Sequence, residues 1–272
     1  MKPIGKMPKA IKKRIRYVLA DIDDTLTLNG RLPAAVFGAM ERLQKAAIRM
    51  IPITGRPAGW CDHIARMWPV DGIVGENGAF YFYYDGNQCK MHRRYFIAEE
   101  QRRADRDKLA SLQKEILNKI PGCRVSADQR YREADLAIDY CEDVAPLPMA
   151  DVDRIVALFE AAGARAKISS IHVNGWFGDY DKLGMLKRLL REEHGHDLED
   201  PAVAETFLYV GDSPNDQPMF AFFPQSVGVA NVRDFADRMT ALPVYVTEGR
   251  CKGCGICADR CPIEAVRMEK SS

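Results

Sequence analysis

The apolar positions of this chain change rhythm twice. Between about residues 15 and 87, short apolar runs alternate with helical stripes. Tyr17-Val18-Leu19-Ala20 stops abruptly at Asp21, which predicts a buried strand ending on a carboxylate. Pro33 opens a helix that places Phe37, Met40, Leu43 and Ala47 on one face. Met50-Ile51-Pro52-Ile53 predicts a second strand, ending at Thr54-Gly55-Arg56, and Pro52 must sit where a ladder does not need its missing N–H. Ile73-Val74 leads into Glu76-Asn77-Gly78, and the aromatic run from Ala79 to Tyr84 turns at Asp85-Gly86 as a hairpin.

From residue 88 the order becomes helix, two strands, helix, two strands. The first helix covers about 99–120, with Leu109, Leu112, Ile116 and Ile120 as its stripe, and Pro121-Gly122 stops it. Strand-like runs follow near 123–127 and 134–140. Asp151 reads as the N-cap of the second helix, and Gly163 closes it. The last two strands lie near 165–169 and 170–174. Such an order predicts helices on one face of an antiparallel sheet. The alternating rhythm returns at Lys182, which opens a helix carrying Leu183, Leu186, Leu189 and Leu190. Strands are expected at 206–210, ending on Gly211-Asp212, then at 227–229 and 244–246. The expected organisation is an α/β core (15–87 and 178–248), an α+β insertion (88–177) and a short tail (249–272).

Charge adds little to this picture. Lys and Arg total 39, Asp and Glu 38, so no general attraction to nucleic acid or to an anionic surface is expected. The basic residues Lys2, Lys6, Lys9, Lys12, Lys13, Arg14 and Arg16 precede the first acid, and they read as a solvated, frayed tail. Neither a signal-peptide core nor a run of about 18–20 apolar residues is present, so the expectation is a cytoplasmic protein with no membrane partner.

Three strands end in polar clusters: Asp21-Ile22-Asp23, Thr54-Gly55-Arg56 and Gly211-Asp212-Ser213-Pro214-Asn215-Asp216. Ligands of open α/β sheets sit at the carboxyl ends of strands, so these clusters converge on one crevice. Carboxylates gathered there repel one another unless a cation binds, and hard oxygen ligands suit Mg2+. The run Asp21-Ile22-Asp23-Asp24-Thr25-Leu26, then Thr54-Gly55-Arg56, then Lys182 at a helix start, then Gly211-Asp212-x-x-Asn215-Asp216, resembles the four motifs of the haloacid dehalogenase superfamily. Glu76-Asn77-Gly78 is similar to a loop of its Cof-like phosphatases, which carry a large inserted cap. Two features depart from that pattern: Leu183 separates Lys182 from Gly184, and no terminal helix is evident after Glu248-Gly249-Arg250.

The resemblance implies a parallel-sheet, Rossmann-like hydrolase core with an α+β cap. It further implies a Mg2+-dependent phosphatase acting on a small phosphorylated metabolite. Asp21 is then the nucleophile and Asp23 the acid and base. Thr54, Gly55, Lys182 and Asn215 bind the phosphoryl group, and Asp21, Asp23 (through its carbonyl), Asp212 and Asp216 hold the metal. An acid at Asp23 admits a phosphatase or a phosphomutase. On the cap, Arg93, Arg94, His172 and Asn174 are weak candidates for reaching a sugar or a carboxylate, and neither sugar phosphates nor phosphoglycolate-like acids are favoured by the sequence.

Four of the eight cysteines are scattered, and four crowd the end: Cys251-x-x-Cys254-x-x-Cys257-x-x-x-Cys261-Pro262. This is the spacing of bacterial ferredoxins, and it predicts a [4Fe–4S] cluster rather than zinc. With a single run present, Cys261 either completes its own cluster or serves that of a second chain in a homodimer. Phosphate hydrolysis needs no electrons. The run therefore leaves open a redox partner, a non-catalytic iron–sulfur carrier on a phosphatase scaffold, and a remnant without a role.

Overall fold

The computed structural model describes residues 1–169 and 171–247, so the cysteine run lies outside the described residues. Six strands form an all-parallel sheet in the order Lys2–Pro3, Tyr245–Val246, Ser226–Gly228, Phe207–Gly211, Tyr17–Ala20, Arg49–Pro52. A parallel bridge from Ile53 to Val74 joins it to the antiparallel trio Ile73–Gly75, Phe80–Asp85 and Lys90–Tyr95.

The period of two along Tyr17–Ala20 explains why its four residues are all buried. Tyr17 and Leu19 pack with Ile51, Phe207 and Tyr209 against Leu186, Leu189 and Leu190 of the helix Lys182–His194. Val18 and Ala20 point the other way, with Met50, Leu208 and Val227, against Met40 and Leu43 of the helix Ala34–Lys45. A sheet covered on both faces reads as a continuous apolar run. Pro52 pairs with Ala20 in register, but its nitrogen lies on the far side of the strand. The flanking Ile53 N–H donates toward Ala20, whereas the Met50 N–H, on the side of Pro52, goes to the Asp71 carboxylate.

Several local expectations change. The basic N-terminus is not frayed. Lys2–Pro3 is the outer strand, Lys9–Arg14 is a helix, and Met7 and Ile15 are buried in the sheet's second face. Its apolar residues, spaced among the lysines, anchor it. Asp151 is not an N-cap: Pro148 holds that position before the helix Met149–Ala161, and Asp151 pairs with Arg154 in its first turn. Ala47 lies past the end of its helix, in the left-handed turn that reverses the chain into the second strand.

The inserted segment builds a four-stranded antiparallel sheet in the order Arg124–Val125, Asp135–Asp139, His172–Trp176, Arg165–Ile168. The helices Glu99–Lys119 and Met149–Ala161 cover one face, packing Leu109, Leu112, Ile116, Val152, Ile155 and Phe159 onto Leu136, Ile138 and Val173. The expected strand near 170–174 is shifted to His172–Trp176.

Glu76 locks this layer to the core. Its buried carboxylate accepts from the backbone N–H groups of Ala58, Glu133, Ala134 and Asp135. Arg132 adds a bond to the Gly55 carbonyl, 2.8 Å long. The four-stranded layer is thereby held over the carboxyl ends of the core strands.

Helix and strand meet closely at Gly175, where a Cβ would collide with the ring of Phe159. Gly175→Ala is expected to lower stability by about 1–3 kcal/mol, read as a fall in the urea unfolding midpoint. An unshifted midpoint would mean that this packing yields without strain.

Candidate active site

Asp21 and Asp212 follow adjacent central strands, so the sheet itself sets them side by side. Lys182 reaches them from the first turn of its helix, where Asp181 is the N-cap and accepts from the Gly184 N–H at 2.7 Å. The intervening Leu183 therefore leaves the helix start intact. Gly78, at a φ of 108°, lets the Glu76-Asn77-Gly78 loop press on the Asp181 carbonyl, a contact no side chain could share. The loop thus fixes the point from which Lys182 extends.

Lys182 Nζ donates to Asp21 Oδ1 at 2.7 Å and to Asp216 Oδ1 at 2.8 Å. Asp216 is fully used within the protein. Tyr209 donates its hydroxyl to Oδ1 at 2.6 Å, and the N–H groups of Asp212 and Ser213 donate to Oδ2 at 3.0 and 3.3 Å. Asp212 accepts from Asn231 Nδ2 at 2.9 Å and from the Thr25 hydroxyl at 3.3 Å.

Oxygens of Asp21, Asp212 and Asp216 lie within 4.8 Å of one another, all three residues being buried. Burial, with Asp216 and Asp23 nearby, pushes the Asp21 carboxyl up to about 8 even though Lys182 pulls it down. Asp212 is raised well above the carboxylate range by burial, Asp21 and Asp216. Burial opposes the charge on Lys182, but Asp21 and Asp216 outweigh it and raise its pKa. Fully ionised, the trio would carry more negative charge than one ammonium neutralises, which is why these carboxyls are raised, and its hard oxygen donors fit a Mg2+ ion. Since Asp216 already has four donors, it is placed to orient Lys182 and the Asp212 loop, and Asp21 and Asp212 are the better direct ligands.

The Asp23 carboxylate is held by Arg56. Arg56 Nε contacts both its oxygens at 3.0 Å and Nη2 contacts Oδ1 at 2.9 Å. Gly55 and Asn215 line the same cleft, with Asp21, Asp23 and Asp212. A Cβ on Gly55 would sit 3.1 Å from the Asn77 amide. Asn215 accepts from the Ser213 hydroxyl at 2.8 Å and lies 3.5 Å from Lys182. Thr54 is fully buried beside the cleft, its hydroxyl oxygen accepting from the Arg56 N–H at 3.0 Å.

Of the four cap candidates, His172 and Asn174 line the cleft. Arg93 pairs with Asp62 on the surface, and Arg94 shares its hairpin, on the strand Lys90–Tyr95. Sequence reasoning overlooked Arg132 of the cap and the bridging role of Arg56. Arg56 was legible as part of its motif, but its partners Asp128 and Glu142 lie 72 and 86 residues away with no spacing to betray them.

Residues 244–267 match the family described as a 4Fe-4S binding domain, a stretch that includes Cys251, Cys254, Cys257 and Cys261. Comparison with curated proteins finds no match to the chain. Among solved structures, a Thermoplasma acidophilum protein superposes with a TM-score of 0.66 at 19% identity, covering 91% of this chain and 99% of its own. A haloacid dehalogenase-like hydrolase from Bacteroides thetaiotaomicron gives 0.57 at 17% identity, covering 86% and 94%. The fold is that of the haloacid dehalogenase-like hydrolases. A phosphatase of the haloalkanoate (HAD) superfamily, also from Bacteroides thetaiotaomicron, shares this HAD fold with a TM-score of 0.58 at 17% identity over 93% and 96%. Among the described residues, no helix is long and apolar enough to cross a membrane.

Removing the ammonium while keeping the volume tests the charge balance of the trio. Lys182→Met is expected to destabilise the fold by about 3–5 kcal/mol, seen as a lower Tm in metal-free buffer. A melting curve that overlays the wild type would show that Lys182 carries none of that balance.

Proposed function

We propose that this protein is a Mg2+-dependent phosphatase that hydrolyses a small phosphate monoester through Asp21. The observation that carries the reading is Lys182 bridging Asp21 and Asp216 beside Asp212, with Asp23 lining the same cleft. That arrangement gathers cationic charge where a phosphoryl group needs it and leaves a carboxylate to act on each side of the phosphorus. A structural neighbour that is itself a phosphatase supports the same reading.

Asp21 Oδ attacks phosphorus, the bond from phosphorus to the ester oxygen breaks, and an aspartyl phosphate forms. Asp23 gives a proton to the departing oxygen, then takes one from the water that cleaves the aspartyl phosphate. Arg56 holds the Asp23 side chain in the cleft for both transfers. Lys182 and Asn215 contact the phosphoryl oxygens, with Thr54 and Gly55 closing the opposite side. Asp21, Asp212 and the Asp23 carbonyl, with Asp216 behind them, would hold Mg2+, which when bound would supply positive charge to offset the negative charge of the phosphoryl group.

The cap over the cleft excludes water and bounds the leaving group to a small metabolite. The reading includes a [4Fe–4S] cluster on Cys251, Cys254, Cys257 and Cys261, supported by the match over residues 244–267. It also places the protein in the cytoplasm, where thiolates stay reduced for cluster assembly.

Two measurements test this. Asp21→Asn is expected to lower kcat for p-nitrophenyl phosphate by at least about 10^3 while the circular dichroism spectrum stays unchanged, and free phosphate is the product. Undiminished turnover in the variant removes Asp21 from the chemistry, and phosphoryl retention with no free phosphate points instead to a mutase. Anaerobically prepared protein is expected to hold about four iron atoms per chain, with the charge-transfer absorption lost in Cys254→Ser. Iron-free protein with stoichiometric zinc would reject the cluster. The native mass of the loaded protein shows whether one chain or two supplies Cys261.

A further inference from the structure

The cleft wall facing Asp21 contains two guanidinium groups, Arg56 and Arg132, and one imidazole, His172. Such groups would ordinarily recognise a second anion on a substrate. Here both guanidinium groups already contact carboxylates of the protein. Arg56 contacts Asp23, Asp128 at 3.3 Å and Glu142 at 2.8 Å. Arg132 contacts Asp128 and Asp135, each at 2.9 Å, and uses a further N–H on the Gly55 carbonyl. His172 Nε2 lies 2.8 Å from Glu142 Oε2. Four carboxylates therefore stand against two guanidinium groups.

Glu142 is the carboxylate common to Arg56 and His172, and it is ionised at neutral pH. Burial works against its charge, but His172 and Arg56 prevail and hold it down to about 2. Asp128 is likewise held below the usual range, burial being outweighed by Arg132. A substrate carboxylate entering this wall would find no uncompensated cation, and it would meet the field of these acids at close range. A hydroxyl group meets no such penalty. Asn174 commits its amide nitrogen to Asp135 at 3.0 Å, which leaves its amide oxygen to accept from a hydroxyl.

We infer that Glu142 is a specificity-determining residue, neutralising Arg56 so that the cleft takes phosphate monoesters with an uncharged, hydroxyl-bearing leaving group and rejects those carrying a carboxylate. This rests on the phosphatase reading and names the substrate class for the same site. Glu142 touches neither the phosphoryl group nor the trio. It acts through Arg56 and His172.

The test compares kcat/KM with Mg2+ for three esters: p-nitrophenyl phosphate, glycerol 3-phosphate and 2-phosphoglycolate. The wild-type protein is expected to favour glycerol 3-phosphate over 2-phosphoglycolate by at least about tenfold. Glu142→Gln removes one of the three carboxylates on Arg56 and is expected to narrow that ratio by about tenfold, while Glu142→Asp, which keeps the charge, retains it. Wild-type preference for 2-phosphoglycolate overturns the inference and leaves the phosphatase reading standing, as does an unchanged ratio in a Glu142→Gln protein that turns over p-nitrophenyl phosphate. Failure of the wild type to hydrolyse any of the three overturns the phosphatase reading and this inference with it. Should Glu142→Gln not fold, the wild-type ratio decides.

Discussion

The ion pair between Lys182 and Asp21 is the contact on which the site depends. Two adjacent parallel strands deliver Asp21 and Asp212 to the same edge, and the fold brings in Asp216 close behind. Buried carboxylates at such spacing do not tolerate full ionisation without a countercharge. Lys182 supplies part of it, at 2.7 Å from Asp21 and 2.8 Å from Asp216, across 161 and 34 residues of sequence. Much of the surrounding architecture serves to hold that ammonium in place. Asp181 caps its helix, Gly78 lets a loop abut the helix start, and Tyr209 braces Asp216 from below. A divalent cation would complete the balance that the lysine begins.

The core strands and the carboxylates at their ends were legible because both follow from short-range pattern. An apolar run of four residues stopping at Asp21 marks both a strand and the place where a ligand would sit, and the same holds for the strand before Asp212. Lys182 was legible from its position at a helix start. The N-terminus was misread because its lysines are conspicuous, whereas Met7 and Ile15 register only when the sheet face that receives them is known. The junction between the two layers was invisible for a deeper reason. Arg56, Asp128, Glu142 and Glu76 act through pairings between loops far apart in sequence, and loop residues have no periodicity from which a partner could be read.

That junction is polar, yet it is closed. Glu76 offers one buried carboxylate to four backbone N–H groups, three of them on the inserted segment. Arg56 does the converse, offering one guanidinium to carboxylates of both layers. Hydrogen-bonded contacts of this kind fix orientation more sharply than an apolar seam, because each lost bond leaves a buried group unsatisfied. The position of the cap over Asp21 is thus set by the same residues that set the charge of the cleft wall.

The strand order also imposes a timetable. Tyr17 pairs beside Phe207, and 207 minus 17 puts them 190 positions apart along the chain. At a ribosomal pace of about 5–20 residues per second, the first of these strands waits about 10–40 s for its neighbour. Lys2–Pro3 waits longer still, since it needs Tyr245–Val246. The four-stranded layer has no such delay: its strands all fall between Arg124 and Trp176, and they can close as soon as they emerge. The covering layer is therefore complete before Asp21 has a lysine to face, and the newborn chain acquires its lid first and its buried charge cluster last.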